Sequence, residues 1–326
     1  MTDSRLEELA VRAHGLSRRD ELDSAAITAL TALRSAGVDP VLLKGPALAR
    51  RLYAEGEARG YSDIDLLVPR SKLAPAQEAL TKLGYVWAHE VLGIDDVAGI
   101  EHSQVWARAG EGGAPLLIDL HWRLDGCEAA DDRLWAALSS GRGSIKLRGE
   151  EVPILSDDGL ALHVAIHAAQ HGPEDAKAIG DLARGLERWP PEVWRWAAQL
   201  AEVVQGVPAF AAGLRLLPDG ARIAMELGLP STPELNWQIR NRDVRPRGTF
   251  HLRAMAEARG IRERANVLRR SLFPTPRWIR REFSLPARGG VSQLLRAYAR
   301  HILHAPLWAA RAGRFLARAR RAGERR

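Results

Sequence analysis

The chain has 326 residues, of which 46% are hydrophobic, and its formal net charge at pH 7 is +7. This length and composition exclude a disordered chain and predict a globular protein with a sizeable core, most simply in two domains. The single cysteine, Cys127, excludes a disulfide framework and the usual cysteine-based zinc site, and it suits a reducing, cytoplasmic compartment.

The first third of the chain alternates between helical and extended patterns. Its N-terminus lacks the apolar segment of a signal peptide, and no run of about 18 apolar residues predicts a transmembrane helix. The patterns predict, in chain order, a helix at 17–37, a strand at 38–45, a helix at 46–53, a strand at 61–68, a helix at 72–84, a strand at 85–90, and two strands joined by a glycine-rich loop within 102–124.

Beyond a small predicted hairpin at 145–155, which turns at Gly149, the extended patterns stop and helical spacing dominates. The predicted fold class is therefore α+β. A small mixed-sheet α/β domain with N-terminal helices is expected over residues 1–155. A mostly helical domain with an arginine-rich C-terminal region is expected over residues 156–326.

Charge is distributed unevenly along the chain. Residues 240–326 hold 23 Arg, no Lys and 5 acidic residues, a net charge of +18; since the whole chain carries +7, residues 1–239 carry −11. This asymmetry predicts a polyanionic partner, such as RNA, an anionic membrane surface or nucleotide phosphates, although solvated helix faces would give the same composition. A basic amphipathic helix is predicted from arginines at helical spacing: Arg311, Arg314, Arg318 and Arg321.

The segment "GYSDIDLLVP" places Asp63 and Asp65 on a predicted buried strand. Residues two apart in a strand point to the same face, so the two carboxylates are held a few ångströms apart. Their repulsion costs on the order of a few kcal/mol unless a cation or a raised pKa relieves it. A divalent ion with oxygen ligands would relieve it, whereas acids exposed at a strand end need no metal.

Two further segments favour the metal interpretation. The strand "LLIDLHW" offers a third carboxylate, Asp119, as required by Mg²⁺ ions that bridge an attacking oxygen and a phosphate. The segment "LLKGPALA" places a glycine turn before a helix, where backbone N–H groups can bind phosphate and Lys44 adds a positive charge. An exposed lysine at a strand end is the alternative for Lys44.

In this combination the chain resembles the nucleotidyltransferase-like proteins of the DNA polymerase beta superfamily, in their bacterial branch. The resemblance rests on "LLKGPALARRLY", "RGYSDIDLLVP", "LTKLGY", "IDLHW", the helix "LHVAIHAAQHG" and "GDLA", which span about residues 38–185 in this order. Arg59, four positions before the first acid, and the His-Trp pair after the third acid are specific to this branch. The resemblance implies a nucleotidyltransferase fold and activity.

The resemblance also implies roles for individual residues. Asp63 and Asp65 would hold Mg²⁺ and the triphosphate, while Asp119 would complete the metal site and assist deprotonation of the acceptor hydroxyl. The implied nucleotide-binding residues are Lys44, Gly45, Arg59 and Ser62.

At the glycine turn the chain departs from many relatives, which have Gly-Ser or Gly-Gly there. Pro46 removes one N–H donor, so phosphate binding would depend more on Lys44 and Arg59. An ion pair with Asp63, without a ligand role, is the alternative for Arg59.

Two histidines are candidates for supporting the site. His121 shares a strand face with Asp119 and would orient it, unless it is simply a buried structural histidine. His171 is the last of three histidines spaced four apart on one helix face and is expected to face the active cleft. Packing and hydrogen bonding are the expected roles of the stripe as a whole, since no local acid completes a zinc or nickel site.

The predicted activity is Mg²⁺-dependent nucleotidyl transfer, in which an acceptor attacks the α-phosphorus of ATP or another nucleoside triphosphate and pyrophosphate is released. The resemblance makes a small molecule or a short peptide of bacterial natural-product biosynthesis the first expectation for the acceptor. A tRNA- or RNA-directed enzyme and a non-catalytic accessory protein with a degenerate site are the two alternatives.

Overall fold

The computed structural model describes residues 3–54, 57, 59–88, 102–110, 113–231, 252, 255, 260–283, 285–286 and 290–324. The chain forms two compact units. Unit 1 comprises Met1–Trp87 and His102–Ser231, and unit 2 comprises Ala88–Glu101 and Thr232–Arg326.

A seven-stranded mixed sheet forms the centre of unit 1. Its strands are β1 (Val41–Leu42), β2 (Asp63–Leu67), β3 (Val86–Trp87), β4 (Ser103–Arg108), β5 (Leu116–His121), β6 (Gly143–Leu147) and β7 (Glu150–Ile154). The order across the sheet is β3-β4-β5-β2-β1-β7-β6, with β2/β5 and β1/β7 parallel and the other neighbours antiparallel. The strands predicted from the sequence are present, and several are shorter than predicted.

Helices surround this sheet in unit 1, and helices are also the regular secondary structure of the described residues of unit 2. Those of unit 1 are α1 (Asp3–Ser35), α2 (Pro46–Arg51), α3 (Leu73–Lys82), α4 (Asp131–Ser139), α5 (Asp157–His171), α6 (Ala176–Arg188), α7 (Pro191–Val203), α8 (Val207–Leu214) and α9 (Pro218–Glu226). Those of unit 2 are α10 (Ile261–Leu272), α11 (Pro276–Glu282) and α12 (Val291–Glu324). The fold class is α+β with a helical C-terminal part, as predicted.

The boundary predicted after residue 155 falls inside unit 1, because α5–α9 cluster with the sheet. Ion pairs contribute to this association. Arg51, at the end of α2, pairs with Asp157 of α5, and Arg59, before β2, pairs with Asp181 of α6. Separate folding of residues 156–326 stays a prediction.

Helix α5 is buried along most of its length because α6, α7 and α8 pack around it. The approach of α8 requires glycine at position 213, since a Cβ atom there would lie 1.8 Å from the Ala165 carbonyl oxygen. The His163 side chain of α5 hydrogen-bonds to the backbone of Leu43, which directly follows β1. This contact ties α5 to the strand that leads to Lys44.

Within the described parts of the chain, no helix has both the length and the apolar character needed to cross a bilayer. The cytoplasmic location stays a prediction.

Candidate active site

The parallel pairing of β2 with β5 brings two of the predicted acids together. Asp65 lies directly opposite Asp119 in the strand register. Since side chains alternate along a strand, Asp63 and His121 project from the same face of the sheet as this pair. Asp65 is fully buried, Asp63 is half-buried, and the Asp119 side chain is 20% exposed. The site therefore lies at the surface edge of the core.

Lys44 is a cationic partner of Asp65. Its Nζ atom lies 2.9 Å from Asp65 Oδ1, and its side chain is 19% exposed. The N–H group of Leu43 donates to the Asp65 carbonyl oxygen at 2.9 Å and so fixes the chain beside β2. Burial opposes the positive charge, but Asp65 raises the pKa of Lys44 above its ordinary value. Lys44 is thus a charge held in the site and not a freely exposed lysine.

His121 bridges the two facing carboxylates. Its Nε2 atom lies 3.0 Å from Asp119 Oδ2 and 3.2 Å from Asp65 Oδ1. Burial alone would favour the neutral ring, but Asp119 and Asp65 raise the pKa of His121 to about 9. The imidazolium form therefore holds both carboxylates in place at neutral pH.

Ser103, at the start of β4, also belongs to the site. Its side chain hydrogen-bonds to Asp119, and it lies opposite His121 in the antiparallel register of β4 and β5. Ser103 was not predicted from the sequence, because a serine at a strand start gives no local signal that distinguishes it from a solvent-exposed one.

The three carboxylates differ in their electrostatic state. Burial opposes ionisation of Asp65 and Asp119, but Lys44 and His121 lower the pKa of Asp65, and His121 lowers the pKa of Asp119. For Asp63, burial and the charge of Asp65 raise the pKa above its ordinary value. The repulsion expected from the sequence is therefore balanced at Asp65 and Asp119 and persists at Asp63.

Asp65 and Asp119 offer carboxylate ligands to a divalent cation, and His121 would be a further ligand only after losing the proton that it holds at neutral pH. One ligand atom from each of Asp65, Asp119 and His121 lies within 4.8 Å of the others. Among the described residues, Asp65 Oδ2 and Asp119 Oδ1 are buried and have no hydrogen-bond partner. Carboxylate oxygens are the ligands that Mg²⁺ prefers. Asp63 lies on the same sheet face but is not part of this close group.

The turn after Lys44 depends on glycine. Gly45 has φ 61° and ψ −113°, a conformation that other residues rarely adopt. A Cβ atom there would also lie 3.3 Å from the carbonyl oxygen of Asp63. Pro46 follows as the first residue of α2, where its missing N–H group disrupts no helical hydrogen bond. The turn is therefore packed directly against the backbone of β2 beside Asp63.

Arg59 pairs with Asp181 of α6 and not with Asp63, the alternative considered from the sequence. Its Nε and Nη2 atoms donate to the two Asp181 oxygens at 2.6 and 2.5 Å, and both side chains are buried. Nη1 donates to the Gly45 carbonyl oxygen at 3.2 Å, and Tyr53 Oη donates to Asp181 at 2.9 Å. Asp181 lies in the "GDLA" segment, but its pairing with Arg59 was not predicted from the sequence. A contact between Arg59 and nucleotide stays a prediction.

The remaining candidates lie at different positions around the site. Ser62 is exposed immediately before β2. His171 is 47% exposed, and its Nδ1 atom lies 3.1 Å from Asp175. His163 of the same stripe is buried and interacts electrostatically with Lys44 and Asp65. Burial and Lys44 lower the pKa of His163 to about 3, so its ring is neutral.

The mixed sheet of unit 1 places acidic residues of two parallel strands beside a lysine-glycine turn, as the resemblance to nucleotidyltransferases implied. The family model described as "uncharacterised nucleotidyltransferase" matches residues 6–219, well over half of the chain. The chain belongs to this family, which confirms its resemblance to nucleotidyltransferases.

Several solved structures are similar over part of the chain, and three of them are compared with it as follows. Two are of the antibiotic-resistance factor ANT(2'')-Ia, and both are 18% identical to this chain and cover 55% of it. The solution structure is covered over 91% of its own chain with a TM-score of 0.37. The crystal structure in complex with adenylyl-2''-tobramycin is covered over 97% of its own chain with a TM-score of 0.39. The third, of an antigenic nucleotidyltransferase-like protein from Paracoccidioides brasiliensis, is 16% identical, covers 57% of this chain and 93% of its own, and has a TM-score of 0.33. No curated protein sequence matches the chain significantly.

Proposed function

We propose that the chain is a Mg²⁺-dependent nucleotidyltransferase that moves a nucleoside monophosphate from a nucleoside triphosphate to a hydroxyl group of a small molecule or short peptide. One observation carries the proposal. Asp65 and Asp119 face each other on parallel strands, and each keeps a buried carboxylate oxygen that has no hydrogen-bond partner among the described residues. Membership of the family supports nucleotidyl transfer as the class of reaction.

Asp63, Asp65 and Asp119 would hold the magnesium ion. A bound magnesium ion neutralises triphosphate charge and polarises the phosphoryl oxygens. The lowered pKa values of Asp65 and Asp119 keep both carboxylates ionised at neutral pH, the form in which carboxylates bind metal. Asp63, whose pKa is raised, gains the most from an added positive charge nearby.

In the proposed reaction, the acceptor hydroxyl oxygen forms a bond to the α-phosphorus. The bond from that phosphorus to the oxygen of the β-phosphate breaks, and pyrophosphate leaves. Asp119 is proposed to accept the hydroxyl proton, because its side chain is partly open while Asp65 is fully buried against Lys44. His121 and Ser103 hold the Asp119 carboxylate in a fixed orientation for this transfer.

The turn after β1 is proposed to bind the triphosphate. Lys44 offers an ammonium group, Gly45 permits the close approach of backbone, and Ser62 offers an exposed hydroxyl before β2. Arg59 is proposed to support this turn through the Gly45 carbonyl, because its guanidinium group is buried and bound by Asp181. Positioning and electrostatics would then supply most of the rate enhancement, as in phosphoryl transfer generally.

Calorimetric titration with Mg²⁺ and each nucleoside triphosphate tests the binding part of the proposal. Lys44→Gln should weaken triphosphate binding about 10- to 100-fold, the range for a lost charge-assisted contact. Lys146→Gln is the matched control, because Lys146 is exposed on β6. If Lys44→Gln binds as tightly as the parent, the phosphate site lies elsewhere.

Transfer itself is tested with α-labelled triphosphates, Mg²⁺ and cell extract. Label on a small molecule or peptide supports the proposal, and Asp119→Asn should abolish it. Asp132→Asn, on the exposed side of α4, should retain it. Label on RNA would replace the proposed acceptor with the RNA-directed alternative. Failure of the parent to bind nucleotide in a Mg²⁺-dependent manner would identify a non-catalytic accessory protein.

A further inference from the structure

Helix α12 has one face that packs within unit 2. The residues of this face are buried and recur at spacings of four, four and seven: Ala297, His301, Ala305 and Ala312. His301 Nε2 lies 2.9 Å from the Ser271 carbonyl oxygen, and its ring meets Trp278 edge-on. Tyr298 Oη donates to the Pro274 carbonyl oxygen at 2.5 Å. These contacts fix which side of α12 faces outward.

The outward side of α12 combines leucines with arginines. Leu295, Leu303 and Leu307 are 62%, 76% and 58% exposed, and their spacings of eight and four residues place them on one helix face. Arg311 and Arg314, four and seven residues beyond Leu307, are exposed on the same face. Arg296 and Arg300, which lie between Leu295 and Leu303 in the chain, are exposed as well.

The sequence around this face contains no negative charge. Between Glu282 and Glu324 there are eight arginines and no acidic residue. Neighbours within the helix therefore cannot neutralise these arginines through the pairs that usually balance charged helix faces. The face is both cationic and apolar over several turns.

We propose that this outward face of α12 binds an anionic lipid bilayer surface and lies in the plane of the interface. Leucines would enter the boundary between headgroups and acyl chains, while arginines bind lipid phosphates. RNA binding would explain the exposed arginines but not the exposed leucines, because leucine side chains neither bind phosphates nor stack on bases. The inference is independent of the proposed transfer activity.

Flotation of the full-length chain with lipid vesicles tests the inference. The chain should bind vesicles of phosphatidylcholine with one quarter phosphatidylglycerol, and not vesicles of phosphatidylcholine alone. The variant Arg311→Gln/Arg314→Gln should bind about 30-fold more weakly, from about a fivefold effect for each arginine near an anionic surface. The variant Leu303→Ser/Leu307→Ser should lose at least about tenfold, because less apolar surface is buried.

Matched pairs on unit 1 serve as controls. Arg195→Gln/Arg222→Gln removes the same charge, and Val203→Ser/Met225→Ser removes comparable exposed apolar surface. Both should bind vesicles like the parent, and all four variants should melt like the parent because the substituted residues are exposed. For the parent, raising the salt to 0.5 M should weaken binding to the anionic vesicles, since the screening length then falls to a few ångströms, about half its physiological value.

Three results would overturn the inference. One is equal binding of the parent to neutral and anionic vesicles. Another is a loss of vesicle binding in the unit 1 control variants as large as the loss in the α12 variants. The third is a loss confined to the arginine pair, with RNA bound in a gel shift at the same salt, which would identify a nucleic-acid surface.

Discussion

Two aspartates two residues apart on β2 should respond oppositely to the same substitution in the metal-free protein. Asp65 is fully buried, with Lys44 Nζ at 2.9 Å and His121 Nε2 at 3.2 Å from Oδ1, and these contacts lower its pKa. Its ionised form therefore stabilises the fold. Burial and the neighbouring charge raise the pKa of Asp63, so its ionised form opposes folding at neutral pH.

The contacts of Asp65 set the size of its effect. A hydrogen bond to a charged group contributes about 1.5–3 kcal/mol, and its loss would also leave the partly buried Lys44 ammonium group without its closest anionic partner. His121 can respond by losing its proton, which limits the loss. Asp65→Asn should therefore lower the free energy of unfolding by about 2–4 kcal/mol at pH 7 in EDTA. Asp63→Asn should leave it unchanged or raise it by up to about 1 kcal/mol, since repulsion near the surface is partly screened.

Urea unfolding followed by circular dichroism measures both changes. Asp132→Asn, an exposed carboxylate on α4, should be neutral and serves as the control. Addition of Mg²⁺ and nucleoside triphosphate should then stabilise the parent through ligand linkage, and both variants less. The assigned pairing of Lys44, Asp65 and His121 would be refuted if Asp65→Asn were as stable as the parent in EDTA. It would also be refuted if Asp63→Asn lowered the free energy of unfolding more than Asp65→Asn does.

Two further predictions concern pH and the buried ion pair. In EDTA the free energy of unfolding should be greatest near pH 6.5. The pKa of His121 is raised to about 9, so its contribution of up to about 3 kcal/mol is complete below pH 6.5 and is lost as the pH rises through 9. The pKa of His163 is lowered to about 3, so the free energy of unfolding also falls as the pH drops below 6.5. Unfolding between pH 4 and 10 measures this, His121→Gln should flatten the alkaline side, and a parent stability that keeps rising above pH 7 would contradict it. Arg59→Met should cost about 3–5 kcal/mol because it leaves the buried Asp181 carboxylate without a cationic partner, with only the Tyr53 hydroxyl still donating to it, and adding Asp181→Leu should recover most of the loss. Thermal melts of the single and double variants measure the coupling, and additive losses would argue against it.

Local patterns in the sequence predict the strands and the acids they carry. Alternation around Asp63 and Asp65 predicts β2, and the apolar residues around Asp119 predict β5, because both patterns depend only on neighbours along the chain. The pairing of the two strands cannot be predicted from neighbours along the chain. Whether β5 lies beside β2, and in which register, depends on the whole sheet, and the facing of Asp65 and Asp119 follows only from that register.

Partners distant in sequence account for most of what was missed. Arg59 and Asp181 are 122 positions apart, and no spacing rule connects them. The role of Lys44 as a phosphate ligand stays a prediction, whereas its contact with Asp65 was not predicted, because it depends on the pairing of β1 with β2. Helical spacing likewise predicts that a segment is helical without indicating the surface on which it packs. For this reason the sequence does not show which part of the chain α5–α9 pack against; in the structure they cluster with the sheet, and separate folding of residues 156–326 stays a prediction.

The charges of the site connect its stability with its proposed chemistry. Asp63, Asp65 and Asp119 lie on one sheet face, and two cations, Lys44 and protonated His121, contact Asp65, which faces Asp119. These cations allow Asp65 and Asp119 to be buried and ionised without metal, which leaves Asp63 as the unbalanced charge. On the proposed function, Asp65 would be a metal ligand, and the ammonium group of Lys44 beside it would also bind the phosphates of the substrate. The same lysine would thus stabilise the resting protein and bind the substrate, so its substitution should affect stability and nucleotide affinity together.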